Sequence, residues 1–145
     1  MSSLLQLLNA KGYHRIKFAL ISTNHLELVV AVNSIEGRFI LDTGASSSCI
    51  GFDSVAHFEL EAEDSDIKAA GAGAVNMLTQ VSTKNELTIG TWRKRKIDFV
   101  LFDLKHVNQA LEEHNAKKVH GILGADVLKK GKAVIDYSKK NLYLK

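Results

Sequence analysis

The sequence predicts a mainly β, single-domain fold with one or two short helices, and three observations lead there. Short β-branched segments separated by turn residues recur along the chain, a helical period emerges convincingly only once, and no proline or low-complexity linker divides the 145 residues. With 46% apolar residues, a chain of that length can bury one real core and not comfortably two. The domain is therefore read as residues 1–145.

Element by element, MSSLLQLLNAKGYHRIKF has no basic residue before its short apolar patch and no long apolar run, so neither a secretory signal nor a membrane span is expected. HRIKFALIST and HLELVVAVN read as strands split by the turn-prone TN, and GRFILD as a third. FDSVAHFEL suggests a short helix. The alternation of Phe58, Leu60 and Ala62 with Glu59, Glu61 and Glu63 reads as a half-buried strand with a solvated acidic face rather than a cation site.

DIKAAGAGAVNMLTQVST forms two extended arms around a glycine-containing tip, and NELTIGTWRKRKIDFVLFD a hairpin turning at GT. From Leu104 to Lys117 the period changes: Leu104, Val107 and Leu111 share one helical face and Glu112 and Glu113 lie off it. The C-terminal region then gives a short apolar strand, a brief helix from about Ala125 to Lys130 ended by Gly131, and a last hairpin with Tyr137, Leu142 and Leu144 among its apolar residues.

Composition removes several functions. A net charge of +3 is far from the dense basic stripe of a nucleic-acid binder, and WRKRK, Trp92 to Lys96, reads as an exposed strand or turn. Cys49 is the single cysteine, which excludes an intramolecular disulfide and a thiolate metal cluster, fits a reducing cytoplasmic compartment and reads as a buried structural thiol. The six histidines have no metal-ligand spacing, and GAGA lacks the remainder of a dinucleotide or phosphate loop.

The segment that resists a purely structural account is RFILDTGASSSCI. An apolar strand runs straight into Asp42, and small residues follow, so backbone can approach the carboxylate closely. AAGAGA, Ala69 to Ala74, is a small-residue hairpin tip able to bend over a bound chain. GILGADVL supplies two apolar residues, a glycine and a helix start.

In that order these features resemble the retropepsin-like aspartic proteases, the single-domain relatives of pepsin, over Arg15 to Lys145. The resemblance implies a small closed β-barrel that is active as a symmetric dimer. The motifs are Asp42 to Ala45, the flap Ala69 to Ala74, and the apolar-apolar-glycine run Ile122 to Gly124. The tail, with Asp126 and IDY, is closer to cellular and bacterial members, including the DNA-damage-inducible type, than to retroviral enzymes. No second D-[TS]-G occurs, which excludes a pepsin-like double-domain arrangement, and the resemblance then implies a homodimer with Asp42 of each copy meeting on the axis.

By the same resemblance Asp42 is catalytic, Thr43 bonds across the dimer axis, and the Gly44 N–H supports the carboxylate. Ala45, Ile122 and Leu123 border the cleft with the flap residues Ala70, Gly71, Ala72, Gly73 and Ala74, where an extended peptide or protein substrate binds in β fashion. No metal or organic cofactor is implied, nor nucleic acid or membrane as partner. Three departures stand out: a hairpin follows the last helix where retroviral chains finish in an interleaving strand, the flap tip lacks an aromatic or large aliphatic residue, and the Leu104–Lys117 helix is longer than a minimal retropepsin has. Two other readings compete, a catalytically silent dimeric peptide-binding scaffold of the same fold and a β-barrel adaptor recruiting nucleic acid. The intact D-T-G favours the protease over the silent scaffold, since a pure binder gains nothing from two desolvated acids.

Overall fold

A computed structural model of the chain describes residues 3–64, 69–71, 74–77 and 79–145. In order the elements are α1 (Leu4–Ala10), β1 (His14–Lys17), β2 (Ala19–Leu20), β3 (Leu26–Val32), β4 (Ile35–Leu41), β5 (Cys49–Gly51), a 3₁₀ turn (Phe52–Ser54), β6 (Glu63–Asp64), β7 (Ala69–Gly71) and β8 (Ala74–Met77). There follow β9 (Gln80–Ile89), β10 (Trp92–Phe102), α2 (Lys105–Glu113), β11 (Gly121–Leu123), α3 (Ala125–Lys130), β12 (Val134–Asp136) and β13 (Asn141–Leu144).

Six strands close on themselves in the order β3-β4-β11-β5-β10-β9, with β9 returning to β3 through Ala31 opposite Thr88 and Val32 opposite Leu87. Closure leaves no free edge among these six. The period-2 pattern expected of β3 is met, with Leu26, Leu28, Val30 and Val32 buried. They join Phe39, Leu41, Leu87, Ile89, Phe99, Leu101 and Leu123 in one core. The GT hairpin is present as β9 and β10.

The first predicted strand breaks in two. Phe18 is buried and its N–H donates to the Lys140 carbonyl at 3.1 Å, so the chain changes sheets there. β1 pairs with β13, while β2 pairs with β3. β13 lies between β1 and β12, so both of its edges are used within its own chain.

The acidic strand expected around Phe58 to Glu63 is corrected: only Glu63–Asp64 is extended, and residues before it coil. The cause is Phe58, whose ring fills the space that a side chain at Gly37 would take. Reaching that position requires turns, with Phe58 N–H bonded to Ser54 O and Leu60 N–H to Val55 O, and Glu59 at φ 55°. The helix predicted over FDSVAHFEL shrinks to the 3₁₀ turn for the same reason. Tyr137, counted among the apolar hairpin residues, is 67% exposed and meets Phe18 edge-on.

Helix α2 spends its apolar face on its own barrel. It spans less than the expected Leu104–Lys117: Leu104 caps its start and packs with Cys49, Phe102 and Ile122, and Leu111 packs with Ile40 and Val119, on the outer side of the β4-β11-β5 ribbon. Asn108 fastens the helix further: its Oδ1 accepts from Val119 N–H at 2.7 Å and its Nδ2 donates to Val119 O at 3.1 Å, as a neighbouring strand would. The helix thereby aligns the segment entering β11, which is the strand beside Asp42.

Candidate active site

The site is built where β11 threads between two strands that are joined by the acid loop. β11 runs parallel to β4, with Gly121, Ile122 and Leu123 opposite Phe39, Ile40 and Leu41, and antiparallel to β5. The ladder continues one residue past β4, as Asp42 N–H donates to Leu123 O at 2.9 Å. There the chain turns: Ala45 N–H bonds to Asp42 O at 3.2 Å, and Gly44 N–H donates to Asp42 Oδ1 at 2.9 Å. The carboxylate is thus aimed by its own loop, and Asp42, Thr43 and Gly44 are exposed.

The back of the loop is held by the start of α3. Ala125 N–H donates to Ala45 O at 2.7 Å. Ser48, fully buried, donates its N–H and its hydroxyl to Asp126 Oδ1 at 2.9 and 2.7 Å, and its hydroxyl oxygen accepts from Gly124 N–H at 2.8 Å. Gly124 is required by proximity, since a Cβ there would lie 2.6 Å from the Ala45 carbonyl oxygen.

The residues singled out from sequence fall into three groups. Asp42, Thr43, Gly44 and Ala45 form one loop, with Ala45 half-buried. Leu123 meets that loop through its backbone carbonyl while its side chain lies in the barrel core, and Ile122 is buried on the outer side with Cys49, Phe102 and Leu104, in the cluster against which Ala45 packs. In the segment expected to form a flap, Ala69–Gly71 pairs antiparallel with Ala74–Met77, which matches the two expected arms and places Ala70, Gly71 and Ala74 on them; Ala72 and Gly73 lie outside the described residues. Thr43 borders a shallow hollow of about 360 Å³ with Ala125, Leu128 and Ile135.

Ser48 and Asp126, which tie the acid loop to the start of α3, are a pair that the sequence alone does not couple. SSS reads locally as a turn, and nothing in the spacing couples position 48 to a carboxylate 78 residues away.

Elsewhere, burial pushes the Cys49 thiol up to about 12, against a backbone hydrogen bond from Ile122, so it is neutral and shielded rather than nucleophilic. Among the described residues no three His, Cys, Asp or Glu side chains are placed to share a metal ion. A larger hollow of about 430 Å³ contains none of the acid loop and is bordered by Arg38, His57, Asn108 and His120. His57 and His120 stack there at 4.6 Å, and His120 Nδ1 accepts from Arg38 N–H at 3.0 Å. Burial, then the charges of His57 and Arg38, lower the His120 pKa.

Comparison with known proteins bears on this geometry. The family model described as aspartyl protease matches residues 28–127, more than half of the chain. Among solved structures, a retropepsin-like aspartic protease from Rickettsia conorii superposes with a TM-score of 0.64 at 20% identity, over 91% of this chain and 90% of that one. The protease of EIAV, complexed with the inhibitor HBY-793, gives 0.56 at 17% identity over 76% and 90%. The retroviral protease-like domain of Ddi1 from Leishmania major gives 0.57 at 13% identity over 83% and 87%. At these identities the likeness is one of fold. No curated protein matches the chain. Among the described residues no helix is long and apolar enough to cross a membrane.

Proposed function

The chain belongs to the aspartyl protease family, and on that premise we propose that it is a homodimeric aspartic endopeptidase in which the Asp42 carboxylates of two copies share one catalytic water. The observation that carries this reading is the acid loop itself: Asp42 is exposed, oriented by Gly44 N–H, and anchored from behind by β11 and α3. These 145 residues hold one D-T-G, and the proposed reading takes the second acid from a partner copy.

Two carboxylates in hydrogen-bonding contact cannot both ionise cheaply, so the pair holds one proton and titrates as a unit. The ionised member takes a proton from the water as it attacks the peptide carbonyl, while the protonated member donates to the developing oxyanion. Thr43 holds the two loops in register across the axis, and the flap of β7 and β8 closes over an extended peptide. Because β13 is paired on both sides, the dimer sheet uses other edges than that strand. Cytoplasmic work fits a chain whose sole cysteine needs no partner.

The test is an unbiased peptide-library digestion from pH 4 to pH 8 with wild type and Asp42→Asn, alongside sedimentation of both. Cleavage by a wild-type dimer and none by the variant is expected. Cleavage that survives Asp42→Asn removes Asp42 from the chemistry, and no cleavage by either protein leaves a peptide-binding fold without the reaction.

A further inference from the structure

We infer that Asp126 is a positioning residue: with the Ser48 hydroxyl as relay, its carboxylate latches the loop that presents Asp42. The inference deepens, and rests on, the proteolytic reading of Asp42.

The geometry separates this role from ordinary helix capping. Asp126 sits in the first turn of α3 and does accept from its neighbour Val127 N–H at 2.8 Å. Its other two bonds leave the helix altogether and end on Ser48, at the far arm of the acid loop. Ser48 has one hydroxyl proton. Giving it to Asp126 turns the oxygen lone pairs toward Gly124 N–H, which completes the third cross-link. The near arm is tied to the same short segment through Asp42 N–H and Leu123 O. Both ends of the loop are therefore referred to residues 123–126, and side-to-side movement of Asp42 requires that these bonds break together.

Ser48 is fully buried, so a severed hydroxyl finds no water in exchange. All three bonds to Asp126 fall on the same oxygen, Oδ1. An asparagine carries an oxygen at that place and alanine does not. The latch thus depends on an acceptor rather than on a charge.

The test uses the full chain as Asp126→Ala, Asp126→Asn and Ser48→Ala, with a fluorogenic peptide taken from the library digestion. Displacing a catalytic group by a fraction of an ångström lowers turnover without weakening substrate binding, so Asp126→Ala and Ser48→Ala should lose about 10- to 100-fold in kcat with KM within about threefold. Asp126→Asn should keep kcat within about threefold of wild type. Wild-type turnover in Asp126→Ala, or equal damage in Asp126→Asn and Asp126→Ala, overturns the latch. Amide hydrogen exchange over residues 42–48 is read in parallel. Faster exchange in Asp126→Ala or Ser48→Ala, restored in Asp126→Asn, supports it, and unchanged exchange refutes it. Should wild type cleave nothing, the proteolytic reading falls and exchange alone decides whether the loop is latched; should Asp126→Ala not fold, Ser48→Ala and Asp126→Asn decide it.

Discussion

Replacing Gly124 by alanine tests how rigidly the acid loop is seated. The new Cβ would stand 2.6 Å from Ala45 O and 3.0 Å from both the carbonyl carbon and the oxygen of Ser47, all backbone atoms that no rotamer change can move. Regaining ordinary contact at 3.4 Å means a retreat of about 0.8 Å by one side. The loop cannot give that distance freely, because Ala45 O is bonded to Ala125 N–H at 2.7 Å and Ser48 is held by Asp126. Overpacking of this kind costs about 1–3 kcal/mol, and loss of the Ala45–Ala125 bond adds about 1 kcal/mol. Melting should therefore fall by roughly 6–12 °C. A displacement near 1 Å at a catalytic group costs about 100-fold in rate, so kcat on a library-derived peptide should drop at least that far while the fold persists. Thermal unfolding by circular dichroism and steady-state kinetics below the melting point measure both. A Gly124→Ala protein with wild-type melting and wild-type kcat would show that the loop and the α3 start are not locked together as argued.

Three further outcomes are expected. The lowered His120 pKa means that the unfolded chain takes the proton more readily, so stability is whole above about pH 6.5 and declines as pH falls through the folded pKa. His120→Asn retains an acceptor for Arg38 N–H and abolishes that titration, so urea unfolding between pH 7.5 and pH 5 should lose less stability than wild type; equal slopes would disprove the assignment. With its thiol near 12 and buried, Cys49 should resist iodoacetamide at pH 8 in the native protein and react on unfolding, whereas prompt native labelling would contradict its burial. Asn108→Ala strands both backbone groups of buried Val119 and should cost about 1–3 kcal/mol in urea unfolding, with a loss below about 0.5 kcal/mol refuting the strand-like staple.

The parts of the fold legible in the sequence are those governed by local periodicity. β3 alternates in sequence and in burial, α3 ends at Gly131 as its glycine indicates, and the GT turn sits between β9 and β10. Where a distant residue competes with the local pattern, the pattern loses. Phe58 stands in an alternating acidic run and yet leaves it to fill the gap over Gly37, and that pairing is fixed by the barrel's closure rather than by neighbours in the chain. Phe18 likewise splits one apolar run between two sheets. α1 carries a local signal of its own: Ser3 and Gln6 form a capping box, with the Ser3 hydroxyl accepting from Gln6 N–H and Gln6 Oε1 from Ser3 N–H.

The candidate site divides along the same line. Asp42 to Ala45 are contiguous, so their chemistry shows in any four-residue window, and Ile122 to Gly124 show as a motif of their own. What joins them does not, because a serine hydroxyl donating to an aspartate leaves no periodic trace in either stretch. The join nevertheless decides what the triplet can be. A loop whose rear is fixed by bonds to residues 123–126, and whose front residues Asp42, Thr43 and Gly44 stand in solvent, has surrendered chain entropy without gaining contacts on that side. A solitary turn gains nothing by such stiffness. A surface that must meet its own image gains a great deal, since every fraction of an ångström fixed beforehand is disorder the encounter does not have to remove. That asymmetry, firm behind and bare in front, is the physical reason why the proposed dimer would set its partner copy against Asp42 rather than against α2, whose apolar face is already covered by its own barrel.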